Sequence, residues 1–209
     1  MKEQEPKWKT ALAAVIDIIW AGMLWLLCSL PVLTIGPAST ALYYAVVKSI
    51  RHERGSLTKT FFAGFRQNFR QSFPLWLLCL ALLLLGGFDL WAYGHLRQGS
   101  SPILQAFSGV LLVPVLLMLP WLFPYVSRFD NGFGGTLRFV FFLAMRNLGR
   151  TLLLTGELLG FGLIGWLIPQ LLPLLPGIFA LLTSFSIEPV FRQYTAEQGD
   201  AAADQWYNE

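Results

Sequence analysis

Charge is what this sequence has least of: Asp, Glu, Lys and Arg together make up 13% of its 209 residues, against 55% hydrophobic. An ordinary soluble domain carries about 25% charged residues, so roughly half of the charge that covers a water-facing surface is missing. A soluble enzyme and a soluble DNA-binding domain are thereby excluded. Cysteine and histidine are scarce as well, at two each. Cys28 and Cys79 both lie in apolar runs, so a disulfide framework or zinc site has no thiol in water to build on. Both read as small buried hydrophobes. No His-Glu-x-x-His and no Gly-x-Ser-x-Gly elbow occurs, and these are the commonest local signatures of zinc hydrolysis and serine catalysis. The chain is expected to be no enzyme and to need neither cofactor nor metal.

What is present is long and apolar. Residues 18–47, 98–127 and 158–187 contain no Asp, Glu, Lys or Arg, and each stretch exceeds the roughly 20 residues that cross a bilayer. With a mean hydropathy of +0.56, the sequence reads as an all-α, polytopic transmembrane bundle of about six spans. The spans fall at 11–30, 37–51, 74–93, 103–125, 150–168 and 178–191. The second is short, about 20 Å of helix, and is either a tilted crossing or re-entrant. Pro114, Pro120 and Pro124 interrupt the fourth, which should kink its inner half. The basic start and first apolar stretch resemble a signal peptide, but the stretch is too long and lacks a small-residue cleavage site, so an uncleaved first helix is expected.

Basic residues test the span count, because loops on the cytoplasmic side are enriched in Lys and Arg. With the N-terminus inside, fourteen of the 15 fall on inner segments and only Arg97 falls outside. This sorting requires the second span to return the chain inward. It makes the protein a multi-pass protein of the cell membrane with both termini cytoplasmic. It also explains the net charge of +3 as orientation rather than nucleic-acid binding.

Two inner segments have helical periodicity. Phe61, Phe65, Phe69 and Phe73 recur every four residues, with Lys59, Arg66 and Arg70 largely elsewhere around the helix. Leu137, Phe141, Ala144, Met145 and Leu148 form a similar stripe beside Arg138, Arg146 and Arg150. Both patterns describe amphipathic helices, suited to the inner leaflet or to a partner protein. The segment Asn68-Phe69-Arg70-Gln71-Ser72-Phe73 resembles Asn147-Leu148-Gly149-Arg150-Thr151-Leu152. Either a two-span unit is duplicated, 37–93 and 103–168, or amphipathic basic helices have converged. Residues 1–191 form a single transmembrane domain in this reading, and 192–209 a polar cytoplasmic tail.

Ionisable groups within spans are costly and so are candidates for function. Asp17 and Glu157 form the candidate intramembrane polar site. Each either handles a proton or cation or hydrogen-bonds to a neighbouring helix. Gly156 and Gly160 flank Glu157 at small-xxx-small spacing, which permits close helix packing. Asp89 and Glu188 stand near span ends, where interfacial solvation accounts for them. Thr34, Gly36 and Pro37 mark a helix break, either a tight turn or exposed amides able to hold an anion. The glycine-rich 130–135 segment follows no strand and lacks the P-loop Lys-Ser/Thr, so it reads as a loop.

The run Leu30-Pro31-Val32-Leu33-Thr34-Ile35-Gly36-Pro37-Ala38, then Ala41-Leu42-Tyr43-Tyr44 and the Phe61/Phe65/Asn68-Phe69 helix, closely resembles the YesL family. These are small bacterial membrane proteins whose domain has no known function. The resemblance extends over about residues 26–73 and supplies no catalytic or binding residues. It implies a role beside carbohydrate-uptake ABC transporters, with the bilayer and transporter subunits as partners. The expected function is therefore a non-enzymatic accessory or interaction protein. The alternative is a small transporter or channel using Asp17 and Glu157 as coupling groups.

Overall fold

A computed structural model of the chain describes residues 7–96 and 102–197. Lys2, Arg97 and residues 198–209 of the expected tail lie outside these described residues. Seven α-helices run among them: α1 (Lys7–Ser29), α2 (Ile35–Ala45), α3 (Leu57–Leu96), α4 (Pro102–Val126), α5 (Gly132–Arg146), α6 (Leu148–Leu167) and α7 (Leu175–Glu197). No strand occurs among the described residues. The all-helical expectation therefore holds. Among the described residues, three helices are long and apolar enough to cross a membrane, over Leu12–Ser29, Leu57–Ala92 and Leu148–Leu167. The exposed surfaces of α1, α3 and α6 carry large apolar side chains, such as Ile16 and Leu27, Leu84 and Leu85, and Leu152 and Leu163. Such a surface suits lipid and not water.

Proline placement explains several helix starts. Pro37 and Pro176 lie in the first turns of α2 and α7, where the missing N–H would have no intrahelical partner anyway. Between α1 and α2 a 3-10 turn, Val32–Thr34, reverses the chain. There the Thr34 hydroxyl donates to the Cys28 carbonyl at 2.6 Å, with the Pro31 carbonyl at 2.8 Å.

Helix α2 is the centre of the bundle, packed by α1, α3, α4 and α7. Its Ala38, Ala41 and Ala45 are fully buried, and such small side chains let neighbouring helices approach closely. The tightest approaches are at glycines. A Cβ on Gly36 would collide with Trp76, one on Gly22 with the Pro173 carbonyl, and one on Gly177 with the Ile18 carbonyl. The proline-rich turn before α7 thus packs against the middle of α1.

Helix α3 corrects the expected separation of an amphipathic inner helix from a third span. It is one helix of 40 residues with Pro74 inside. Its first half runs antiparallel to α2: Gly64 lies beside Tyr44, and Trp76 beside Gly36. The phenylalanine stripe is the reason. Phe61 is fully buried among Ala41, Leu42, Ala45 and Val46, and Phe65, Phe69 and Phe73 continue the stack at centroid spacings of 5.2–6.5 Å. A helix stripe can be covered by protein as well as by lipid, and here protein covers it fully at Phe61, while Phe65, Phe69 and Phe73 are half-buried. Trp76 is 8% exposed and donates its indole N–H to the Val32 carbonyl at 2.8 Å. It therefore lies against the 31–36 turn, which the six-span scheme put on the opposite face. The second amphipathic segment is a separate helix, α5, as its sequence implied.

Candidate functional site

The polar interior gathers on one side of α7. A π-helical segment, Val46–Arg51, continues α2, and widened turns of this kind are rare and concentrate at functional positions. It ends by bringing Arg51 to α7, where Nη1 donates to the Ser184 carbonyl at 2.8 Å and lies 3.3 Å from the Ser184 hydroxyl. The guanidinium also sits 4.7 Å from the centroid of Phe185. One helical turn further along α7, Glu188 meets Arg128, which follows the end of α4. Nη1 lies 3.0 Å from Glu188 Oε2, and the two side chains are 1% and 3% exposed. Tyr43 of α2 donates its hydroxyl to Glu188 Oε1 at 3.0 Å. Both carboxylate oxygens therefore hold a donor.

An isolated carboxylate or guanidinium in this setting would be very unfavourable, and mutual pairing with extra hydrogen bonds is what makes burial tolerable. Aromatic faces complete the enclosure, with the Arg128 guanidinium 5.4 Å from Phe129 and 5.6 Å from Phe191. With both oxygens engaged, Glu188 works as a staple joining α2, α4 and α7. Its placement corrects the reading of Glu188 as an interfacially solvated span-end residue. A signal was available: Arg128 closes a long charge-free run, and an acid in apolar sequence calls for a cation.

Beside this junction lies a cavity of about 570 Å³ bounded mainly by α2, α4, α6 and α7, with Trp25 of α1 and Trp76 of α3 completing the wall. Tyr43 belongs to both, its hydroxyl in the junction and its side chain in the cavity wall. Aliphatic and aromatic groups dominate the lining, among them Leu42, Leu119, Phe123, Leu158 and Phe179.

The residues singled out from sequence are distributed otherwise. Asp17 lies on the exposed face of α1 between Ile16 and Ile19. Glu157 is half-buried on α6, with Oε2 buried and unpaired. Helix α1 packs on α2, α3 and α7, whereas α6 packs on α4, α5 and α7, so the two acids are not brought together. The close-packing role inferred for Gly156 and Gly160 is also corrected, because a Cβ at either would meet nothing within 4 Å. Of the helix-break residues, Gly36 and Pro37 are buried, and Gly36 abuts Trp76 and Phe123. Arg66, Arg70, Arg138, Arg146 and Arg150 are all exposed. The Gln71 amide donates to the Thr136 hydroxyl at 2.9 Å, drawing α3 and α5 together. No group of three or more potential metal-ligating side chains occurs among the described residues.

Comparison with known proteins adds one likeness. Residues 18–90, from α1 through most of α3, match the model of a family described as protein of unknown function, DUF624. No curated protein and no solved structure matches the chain.

Proposed function

We propose that this chain is a non-enzymatic accessory or interaction protein of the cell membrane, multi-pass with cytoplasmic termini, that works beside carbohydrate-uptake ABC transport as a YesL-family protein. The observation that carries the interaction reading is the basic surface: α3 and α5, distant in sequence, are joined at Gln71 and Thr136 and carry four exposed arginines, Arg66, Arg70, Arg138 and Arg146, with Arg150 exposed at the start of α6. Such a surface suits an acidic cytoplasmic partner or anionic headgroups. The YesL resemblance is what points to a sugar transporter as that partner. A sugar pathway through the chain itself has less support, because the cavity wall is apolar and a sugar there would lose its hydrogen bonds to water without replacement.

Affinity purification in mild detergent, from cells that also produce a sugar ABC transporter, tests the proposal. A permease or ATPase subunit should be recovered with the wild-type chain and lost with Arg70→Glu combined with Arg138→Glu. Recovery of the chain without any transporter subunit would overturn it. Orientation is checked with single cysteines at Lys59 and Arg97, in a chain with Cys28 and Cys79 replaced by alanine. The first should label from the cytoplasmic side and the second from outside.

A further inference from the structure

We propose that the cavity between α2, α4, α6 and α7 holds one acyl chain of a bilayer phospholipid, admitted sideways along α6. The inference goes beyond the accessory reading and does not depend on a transporter partner.

The chemistry of the wall selects the ligand. Its enclosed polar side chains are already engaged with the protein, leaving the exposed Trp166 at the mouth: Trp25 donates to Ser39 at 3.0 Å, Trp76 to the Val32 carbonyl, Tyr43 to Glu188, and Thr183 to the Phe179 carbonyl at 2.8 Å. A polar ligand would find few free partners there, while hydrocarbon needs none. At about 570 Å³ the space lies within the roughly 300–1,000 Å³ of small-molecule sites. A hydrocarbon chain in this space would gain dispersion contacts with the apolar wall.

Two glycines open the space. Gly162 and Gly165 both line the cavity, and a Cβ on Gly162 would meet nothing within 4 Å. The position of the mouth selects the source. Gly162, Trp166 and Leu172 line the cavity and are also exposed, with Trp166 at 84%. Around them Leu163, Ile164, Leu167 and Ile168 are exposed too, so the cavity is continuous with the apolar face that α6 turns toward lipid. The hydrocarbon nearest that opening is the acyl chain of a bilayer phospholipid.

The test uses the full chain in vesicles of phosphatidylcholine carrying a photoreactive diazirine in one acyl chain, with labelled peptides mapped by mass spectrometry. Wild type should be labelled at Tyr43 and Phe179. Gly162→Trp, which fills the opening, should lower that labelling about tenfold, equivalent to about 1.4 kcal/mol of affinity. Gly162→Leu should lower it less, and carries the test if the tryptophan variant does not fold. Gly160→Leu, at an open position outside the cavity lining, should leave it unchanged. In all variants Leu84 and Leu85, on the exposed face of α3, report ordinary contact with the bilayer. Labelling confined to Leu84 and Leu85, equal labelling of Tyr43 and Phe179 in every variant, or displacement of the lipid by equimolar free fatty acid would each overturn the proposal.

Discussion

Arg51 and Arg128 close the two helices α2 and α4 and dock on α7 one turn apart, yet they are met in different ways. Arg51 finds neutral acceptors, the carbonyl and hydroxyl of Ser184, and stays half-buried. The Arg128 side chain is almost wholly enclosed and meets a carboxylate. Both also rest near aromatic faces, as a planar guanidinium favours. The difference shows what burial demands. A guanidinium still in contact with water is satisfied by backbone acceptors, whereas an enclosed one requires a countercharge.

The similar segments at 68–73 and 147–152 offer a second comparison. Asn68 and Asn147 each donate to the carbonyl four residues earlier, at 3.0 and 3.1 Å. Ser72 and Thr151 each donate to the carbonyl of that asparagine, at 2.7 and 3.0 Å. Around Asn68 the helix runs on without interruption. At Asn147 it breaks, with φ −115° and ψ 45°, into α5 and α6. Glycine stands at 149 where the first segment has Arg70, and it lowers helix propensity near the break by about 1 kcal/mol relative to alanine.

The largest expected effect lies at the enclosed pair. Glu188→Ala strands the Arg128 guanidinium and should destabilise the protein by about 3–5 kcal/mol. Arg51→Ala removes hydrogen bonds to neutral acceptors from a half-buried site and should lose only about 1–2 kcal/mol. Replacing the pair together, Arg128→Met with Glu188→Leu, should recover most of the loss, since two apolar side chains leave no buried charge. Denaturation in detergent micelles measures all three. Equal losses for Glu188→Ala and Arg51→Ala would mean that enclosure does not separate the two arginines.

A smaller contrast is expected at Thr151 and Ser72, both fully buried. The Thr151 hydroxyl accepts the Trp121 indole N–H at 3.0 Å and lies 2.9 Å from the Ala144 carbonyl, so it ties α4, α5 and α6 together. Thr151→Val keeps the shape but leaves a buried donor unsatisfied, at a loss of about 1–3 kcal/mol. The Ser72 hydroxyl bonds within its own helix, so Ser72→Ala should change stability by less than about 1 kcal/mol. The same denaturation measurement reports both. A Ser72→Ala loss as large as that of Thr151→Val would make the two devices equivalent.

Much of the helical layout was legible because it follows from apolar run length and proline placement, which act locally. The ends of α1 and α6 fall within a few residues of those read from sequence. The junction was not legible in the same way. Glu188 and Tyr43 are 145 positions apart, and no local pattern distinguishes an acid solvated at a membrane interface from one paired in a core. Glycine spacing misled for a related reason. The open Gly156 and Gly160 have the motif, while Gly22 and Gly177, which admit backbone at close range, have no sequence pattern to mark them. The phenylalanine stripe was read correctly as an apolar face, but periodicity carries no information about what covers that face.

The smallest predicted effect is at the turn after Arg51. Burial, followed by the positive charges of Arg51, Arg192 and Arg54, holds the His52 imidazole below its ordinary value of 6.5. The folded chain therefore binds the His52 proton less readily than the unfolded chain does. It follows that the contribution of His52 to stability is constant above pH 6.5 and declines as pH falls from 6.5 through the depressed folded value. The turn after Arg128 has no histidine, since Phe129, Asp130 and Asn131 occupy it, so an acid-linked loss from this device belongs to the Arg51 side alone. His52→Gln should flatten the stability profile below pH 6.5 by a small amount in denaturation curves collected across that range. An unchanged slope would show that neither burial nor the three arginines around His52 act on its proton, and that acid sensitivity in this window arises elsewhere in the fold.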